Sequence, residues 1–336
     1  MYKNYYHYTV GNKETLDKLQ AIYYASEENE WIHFHMPQWL QDLPTHIEPE
    51  ESLKTLCIRR AKQLRDTNNY LKLWFSGGCD STYMLKTFVD NNIHVDEIIS
   101  VKSGIPEADW EIDKIAVPFL DKIKPKIPNT KVTIQTPTIN DYKEFYKDAY
   151  WFEKYTKLGR ASKGFMGLRL NEYFESINYQ DYKPGTANIL GLDKPLINFV
   201  NGEWYTFFLD ISVEFQLGNT DNRHHCFFND DPLIYTKQCH LLKNSIVRNL
   251  QPIEYNKVCA GDKKYQTLWN TSIERIKPNE NFIVKSFEAV GAEYQAINHK
   301  ESIGQKSMSK NFPDIYKNYL NGLKNLESIQ KGKWFN

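Results

Sequence analysis

The sequence predicts an α/β protein built around a parallel sheet, with an N-terminal cap and a mainly helical C-terminal region. Three observations carry that expectation. From residue 70, apolar runs of strand length alternate with segments of helical spacing. A glycine turn, Ser76-Gly77-Gly78, joins the first such run to the first such helix, which is the repeating unit of a parallel sheet. Near residue 200 the alternation stops at Asn201-Gly202, a dipeptide that signals a β-hairpin when it lies between two apolar runs.

Composition bounds the reading. Of the 336 residues, 41% are hydrophobic and 25% charged, which excludes a disordered chain. Lys+Arg and Asp+Glu both number 42, so net charge does not call for nucleic acid and leaves RNA binding to a local patch. Residues 1–7 (MYKNYYH) lack the apolar core of a signal peptide, and no stretch reaches membrane-span length, so a cytoplasmic location is expected. The five cysteines are odd in number and scattered, as reduced, mostly buried thiols would be.

Residues 1–68 read as a mixed cap. His33 and His35 alternate with Phe34 and Met36 as in a half-buried strand. Residues 51–66 place Leu53, Leu56, Cys57, Ala61 and Leu64 on one helical face, with Arg59 and Arg60 opposite. Residues 69–200 carry the alternation. A strand at 70–75 leads through the glycine turn to a helix at 82–91, and a second strand follows at 95–101. A helix at 108–122 turns Trp110, Ile112, Ile115, Ala116 and Phe119 inward; a strand follows at 131–135. Helices at 141–157 and 167–177 lead to a fourth strand at 188–192. A soft boundary falls near residue 200. Residues 201–336 take in the second half of the hairpin (196–200 and 203–209) and read as mainly helical from about 211, including a helix at 233–250.

The chemistry concentrates in residues 76–81, Ser-Gly-Gly-Cys-Asp-Ser. A strand delivers the chain to the sheet's carboxyl edge. Gly77 and Gly78 let the backbone turn and gather its N–H groups, and a helix N-terminus aims its dipole at the same spot. Together these make a nest for phosphate. Ser76, Ser81 and Thr82 can add hydroxyl donors, and a side chain at Gly77 would fill the space where backbone approaches phosphate. Asp80, a carboxylate at an anion site, makes sense with a divalent cation between them.

Residues 75–82 (FSGGCDST) resemble the PP-loop of the N-type ATP pyrophosphatases, the superfamily of asparagine synthetase, GMP and NAD synthetases and tRNA thiolases. The likeness covers roughly residues 70–200. It implies a doubly wound, HUP-like parallel sheet of about five strands, with ATP and Mg²⁺ as cofactors. It implies nucleotide contacts from Ser76, Gly77, Gly78, Cys79, Asp80, Ser81 and Thr82, and adenine near the end of the second strand at Val101 and Ser103. Residues 190–195 (LGLDKP) sit where a later glycine-bearing loop of asparagine synthetase-like members lies. There Asp193 would share the metal with Asp80, and Lys194 would neutralise departing pyrophosphate; the same residues also suit an ordinary surface turn. Lys237, three residues before His240 on one helix face, matches a late lysine that reaches the phosphates in family members, or else a solvated face.

What the resemblance implies is adenylation of a substrate oxygen with release of pyrophosphate, then displacement of AMP by ammonia or an amine. Tyr2 stands where a built-in glutaminase would need cysteine, and neither a Cys-x-x-Cys pair nor a zinc-binding cysteine set is present. His224-His225-Cys226 and Cys239-His240 do not have standard zinc spacing. The acceptor is a small molecule or nucleotide. The alternatives are a nucleotide- or tRNA-modifying PP-loop enzyme (thiolation included), a sulfonucleotide reductase-like protein, and a non-catalytic nucleotide-binding module. The aromatic and basic segment 142–160 suits the first of these, since it could stack a base.

Overall fold

The computed structural model describes residues 7–35, 38, 43, 45–105, 109–153, 185–191, 196–207, 224–249, 251–255 and 306–329. The chain opens with a three-stranded antiparallel sheet, β1 (His7–Val10), β2 (Lys13–Thr15) and β3 (His33–His35), with β1 in the middle. Helix α1 (Lys18–Glu28) links β2 to β3, capped by the Asp17 carboxylate, which accepts the Leu19 N–H at 2.8 Å. Tyr8, Val10, Ile22 and Ile32 form the small core beneath it.

Helix α2 (Leu53–Thr67) starts at Ser52, whose hydroxyl accepts the Thr55 N–H. It feeds the central sheet of β4 (Tyr70–Trp74), β5 (Glu97–Val101), β6 (Lys131–Gln135), β7 (Thr186–Leu190) and β10 (His224–Cys226). All neighbours pair in parallel, in the order β6-β5-β4-β7-β10. The chain builds outward from β4 to β6, then returns to the other side of β4 for β7 and β10. The order therefore reverses between β4 and β7, which opens a crevice at their carboxyl ends.

Helix α3 (Cys79–Asp90) crosses from β4 to β5. A π-type turn (Ile112–Ala116) runs into α4 (Val117–Ile123), and α5 (Ile139–Phe145) follows β6. Helix α6 (Pro232–Asn249) follows β10, and α7 (Pro313–Ile329) lies near the end of the chain. The β8 (Leu196–Val200) and β9 (Glu203–Phe207) hairpin turns on Asn201 and Gly202, both at positive φ, as expected of that dipeptide.

One sheet face, carrying Leu71, Leu73, Phe75, Ile98, Ala187 and Ile189, packs against α2, α3, α4 and α6 through Leu56, Phe88, Phe119 and Leu242. A second core joins α1, α5, residues 146–152 and α7. Among the described residues no helix is long and apolar enough to cross a membrane.

The parallel α/β fold, the hairpin and the expected strands at 70–75 and 131–135 are present, and several details differ. The fifth strand, β10, lies beyond residue 200, so the sheet draws on both sides of that boundary. Arg60 is 8% exposed and turned inward, while Arg59 stays outside and pairs with Glu51 at 2.7 Å. Neighbours on a helix point about 100° apart, so one can face the core while the next faces water. Trp110 is 40% exposed; at about 100° per residue it lies about 200° round the helix from buried Ile112, so the two cannot share the inner face. The segments 154–184 and 256–305, including the expected helix at 167–177, lie outside the described residues.

Candidate functional site

The crevice forms where three strand ends lie side by side, Trp74, Leu190 and Cys226 being in register. Beyond β4 the chain continues the sheet for one residue, the Phe75 N–H bonding to the Ile99 carbonyl at 2.8 Å. It then turns at Gly77, φ +84°, a conformation that side-chain-bearing residues rarely adopt. A Cβ there would meet the Ala116 methyl at 2.9 Å and its backbone N at 3.0 Å. The missing side chain of Gly77 makes room for the π-type turn behind the loop.

Helix α3 begins directly after. Its cap is Gly78, which has no side chain to satisfy the first-turn N–H groups, and Asp80 is the acid in that turn. The helix starts three residues earlier than its apolar spacing suggested, so Cys79, Asp80 and Ser81 all belong to the first turn.

The loop hydroxyls bond within the loop. Ser81 Oγ accepts the Ser76 N–H at 3.3 Å, lies 3.1 Å from Ser76 Oγ and donates to the Gly78 carbonyl. Ser76 Oγ also accepts the Gly78 N–H at 3.3 Å. Thr82 is buried and donates to the Gly77 carbonyl at 3.2 Å. These three hydroxyls brace the loop, holding its shape through a network of short-range bonds. They take up the N–H groups of Ser76 and Gly78, so an anion seat here rests on the first turn of α3.

The end of β7 adjoins that turn. A Cβ on Gly191 would come within 2.9 Å of the Ser81 N and Cα. The two loops that sequence reasoning joined, 76–81 and 190–195, therefore meet backbone to backbone at Gly191. Asp193 and Lys194 lie outside the described residues. Among the described residues no three His, Cys, Asp or Glu side chains cluster as a metal cage. Magnesium bound chiefly through substrate phosphates needs only one or two carboxylates, so Asp80 with one further acid fits that chemistry.

On the far side of the sheet from the main core, Trp74, Ile99 and Leu190 form a separate apolar cluster with half-buried Val101 packed against it. The Trp74 indole N–H donates to buried Asn188 at 3.2 Å. Ser103 is buried, and its hydroxyl donates to Asp109 at 2.7 Å. Asp109 Oδ1 also accepts the Ser103 N–H, and Oδ2 the Gly104 N–H at 3.1 Å. The Tyr142 hydroxyl donates to the Ser103 carbonyl at 2.6 Å. The turn after β5 is thus fixed by a buried carboxylate that sequence reasoning missed. Its only signal was an acid set among apolar helical positions.

Lys237 sits on α6, where its ammonium donates to Glu48 at 2.8 Å and to the Pro49 carbonyl at 2.9 Å. His240, one turn on, bonds the Thr45 carbonyl. Both residues bind α6 to the segment before α2, and Lys237 could reach a phosphate only by breaking two bonds.

Of the aromatic stretch 142–160 expected to stack a base, residues 154–160 lie outside the described residues, Tyr150 is exposed, and most of the other described rings are interior. Tyr142, Phe145, Tyr146, Trp151 and Phe152 are buried against α7, with Trp151 0% exposed. His225 belongs to the His-His-Cys run that lacks standard zinc spacing. It lies under α2, with Arg60 Nη2 3.5 Å away and the Asp230 carboxylate at 4.0 Å. Burial pushes Asp230 up from its ordinary 3.8 to about 6, despite the pull of Arg60.

The chain matches no protein-family model, and a search of curated proteins finds no significant match.

Proposed function

We propose that this chain is an ATP pyrophosphatase of the PP-loop type, which adenylates a substrate oxygen and releases pyrophosphate. The observation that carries the reading is the braced strand–glycine–helix turn at the point where strand order reverses. There the uncapped first turn of α3, which carries Asp80, adjoins the end of β7 at Gly191. The resemblance of residues 75–82 to the PP-loop supplies the reaction.

In this reading, N–H groups of the α3 first turn hold the phosphates, and the dipole favours their charge. Asp80 would hold magnesium, with Asp193 as the second carboxylate, and the ion would supply charge neutralisation at the phosphates. A substrate oxygen attacks the α-phosphorus, the bond to the β-phosphate oxygen breaks, and AMP becomes a good leaving group for ammonia or an amine. The protein's share is positioning and charge stabilisation. The hydroxyl brace serves the first of these, since a loop held rigid loses little entropy when it binds. Lys194 is the basic group assigned to the departing pyrophosphate.

The test is pyrophosphate release from ATP and Mg²⁺ across a panel of carboxylate and nucleotide acceptors, with and without ammonia. Asp80→Asn is expected to lower release by at least about a hundredfold, as loss of one electrostatic contact to a transition state does. Undiminished release by that variant would remove Asp80 from the mechanism. One observation favours a second reading, a nucleotide-binding module without turnover: Lys237 is committed to Glu48. ATP binding with no pyrophosphate for any acceptor would select it.

A further inference from the structure

Between the β8–β9 hairpin, α6 and the segment before α2 lies a cavity of about 280 Å³. Its walls differ in character. Trp204, fixed by ring contacts to Phe199 and Tyr255 at 5.1 and 5.3 Å between neighbouring centroids, and buried Ile197 make an apolar side. Lys243 and His46 supply basic groups, with the Thr206 hydroxyl nearby.

The charges there are unevenly satisfied. Glu203, the acid in the lining, accepts the Tyr205 hydroxyl at 2.9 Å. Glu48, beside it, is held by Lys237. Among the described residues, neither Lys243 nor His46 has a hydrogen-bond or carboxylate partner. The cavity therefore offers, beside an aromatic wall, a lysine ammonium that makes no ion pair among the described residues, while the lining acid Glu203 keeps its charge. Its volume lies just below the usual range for ligand pockets, about 300–1,000 Å³, and above the roughly 150 Å³ that holds a benzene ring. That size admits a single ring or a short branched chain and excludes a nucleotide.

We propose that this cavity is a binding site for a small carboxylic acid with an aromatic or branched apolar body, its carboxylate on Lys243 and its body against Trp204. The site is built on the hairpin and α6, so the proposal does not rest on the nucleotide reading.

The experiment is a calorimetric titration of the full chain with benzoate and with benzyl alcohol, its neutral counterpart. Benzoate is expected to bind one to one with Kd near about 1 mM or tighter, and benzyl alcohol at least about tenfold more weakly, as loss of a charge-assisted bond predicts. Lys243→Met should weaken benzoate at least tenfold and leave benzyl alcohol unchanged, while Trp204→Ala weakens both. Lys243 is only half-buried, so its replacement leaves the fold in place even if loss of Trp204 loosens the hairpin. No benzoate binding by the wild type, or equal binding by Lys243→Met, overturns the proposal. Gly77→Val, which is expected to lose ATP, should bind benzoate as the wild type does, so failure of one reading is distinguishable from failure of the other.

Discussion

At the scale of single residues, the loop depends on what Gly77 lacks. Its φ of +84° and the closeness of Ala116 both oppose a side chain. Gly77→Ala should cost about 1–3 kcal/mol of stability and also weaken nucleotide binding, because strain and displaced backbone act on the same atoms. Chemical denaturation and an ATP titration measure the two effects; a variant with unchanged stability would contradict the observed turn. Asp230 gives a pH signature. Its folded-state value, raised to about 6 by burial, lies above the ordinary 3.8. The associated stability is full below that ordinary value and is lost as pH rises through the folded one. Between about pH 4 and 7 the wild type should therefore lose stability relative to Asp230→Asn, and parallel stability curves would show that no such shift exists. The motif itself was legible in the sequence, because a strand, two glycines and a helix make its context. The inward bonds of Ser76, Ser81 and Thr82 were not, since a hydroxyl at a helix N-terminus can brace its own loop or donate to a ligand with the same sequence.

At the scale of elements, the strands that read most clearly have a dense apolar pattern with turn residues at their ends, as β4, β6 and the hairpin do. β7 begins two residues before its expected start, because Thr186 and Ala187 pair with Tyr70 and Leu71 although neither is strongly apolar. β10 escaped notice altogether: three residues, His224-His225-Cys226, carry no period, and pairing with β7 alone makes them a strand. Within the sheet, Glu97 joins three strands. It meets Lys131 at 2.8 Å and Thr133 at 3.0 Å on β6, and Tyr70 at 3.2 Å on β4. Burial alone would raise its carboxyl, but the bonds from Lys131 and Thr133 with the charge of Lys72 outweigh it and hold it below the ordinary 4.5. A depressed value contributes stability above the ordinary one that is lost as pH falls. Glu97→Gln should therefore be less stable than the wild type at neutral pH, with the gap closing below about pH 4.5. A gap that is constant down to low pH would contradict this. On α6, Lys237→Met should cost on the order of 1 kcal/mol through the lost Glu48 bond and leave ATP affinity unchanged. A large fall in affinity would return Lys237 to the phosphates.

At the scale of the whole molecule, the chain's described ends meet. α1, from the N-terminal region, and α7, near the C-terminus, share one core with the segment after β6. That segment also braces the turn after β5 through Tyr142 and Ser103. The second core thus reaches the edge of the candidate site through Tyr142. Gly322 is the contact that allows it, since a Cβ there would fall 1.9 Å from Trp151 Nε1. Gly322→Ala should destabilise the protein by about 1–3 kcal/mol, read as a lower melting temperature, while a variant as stable as the wild type would mean that α7 does not pack there. No pattern in the sequence linked residues 142–152 to α7, because contacts so distant along the chain leave no local period. The same burial is why Tyr142, Phe145, Tyr146, Trp151 and Phe152, in a stretch that suited base stacking, are core.

The most direct measurement is a titration of the full chain with ATP and Mg²⁺, wild type against Gly77→Val. Saturable binding that the substitution abolishes is the predicted result. No binding by the wild type, or the same affinity in both proteins, would contradict a nucleotide site at the first turn of α3.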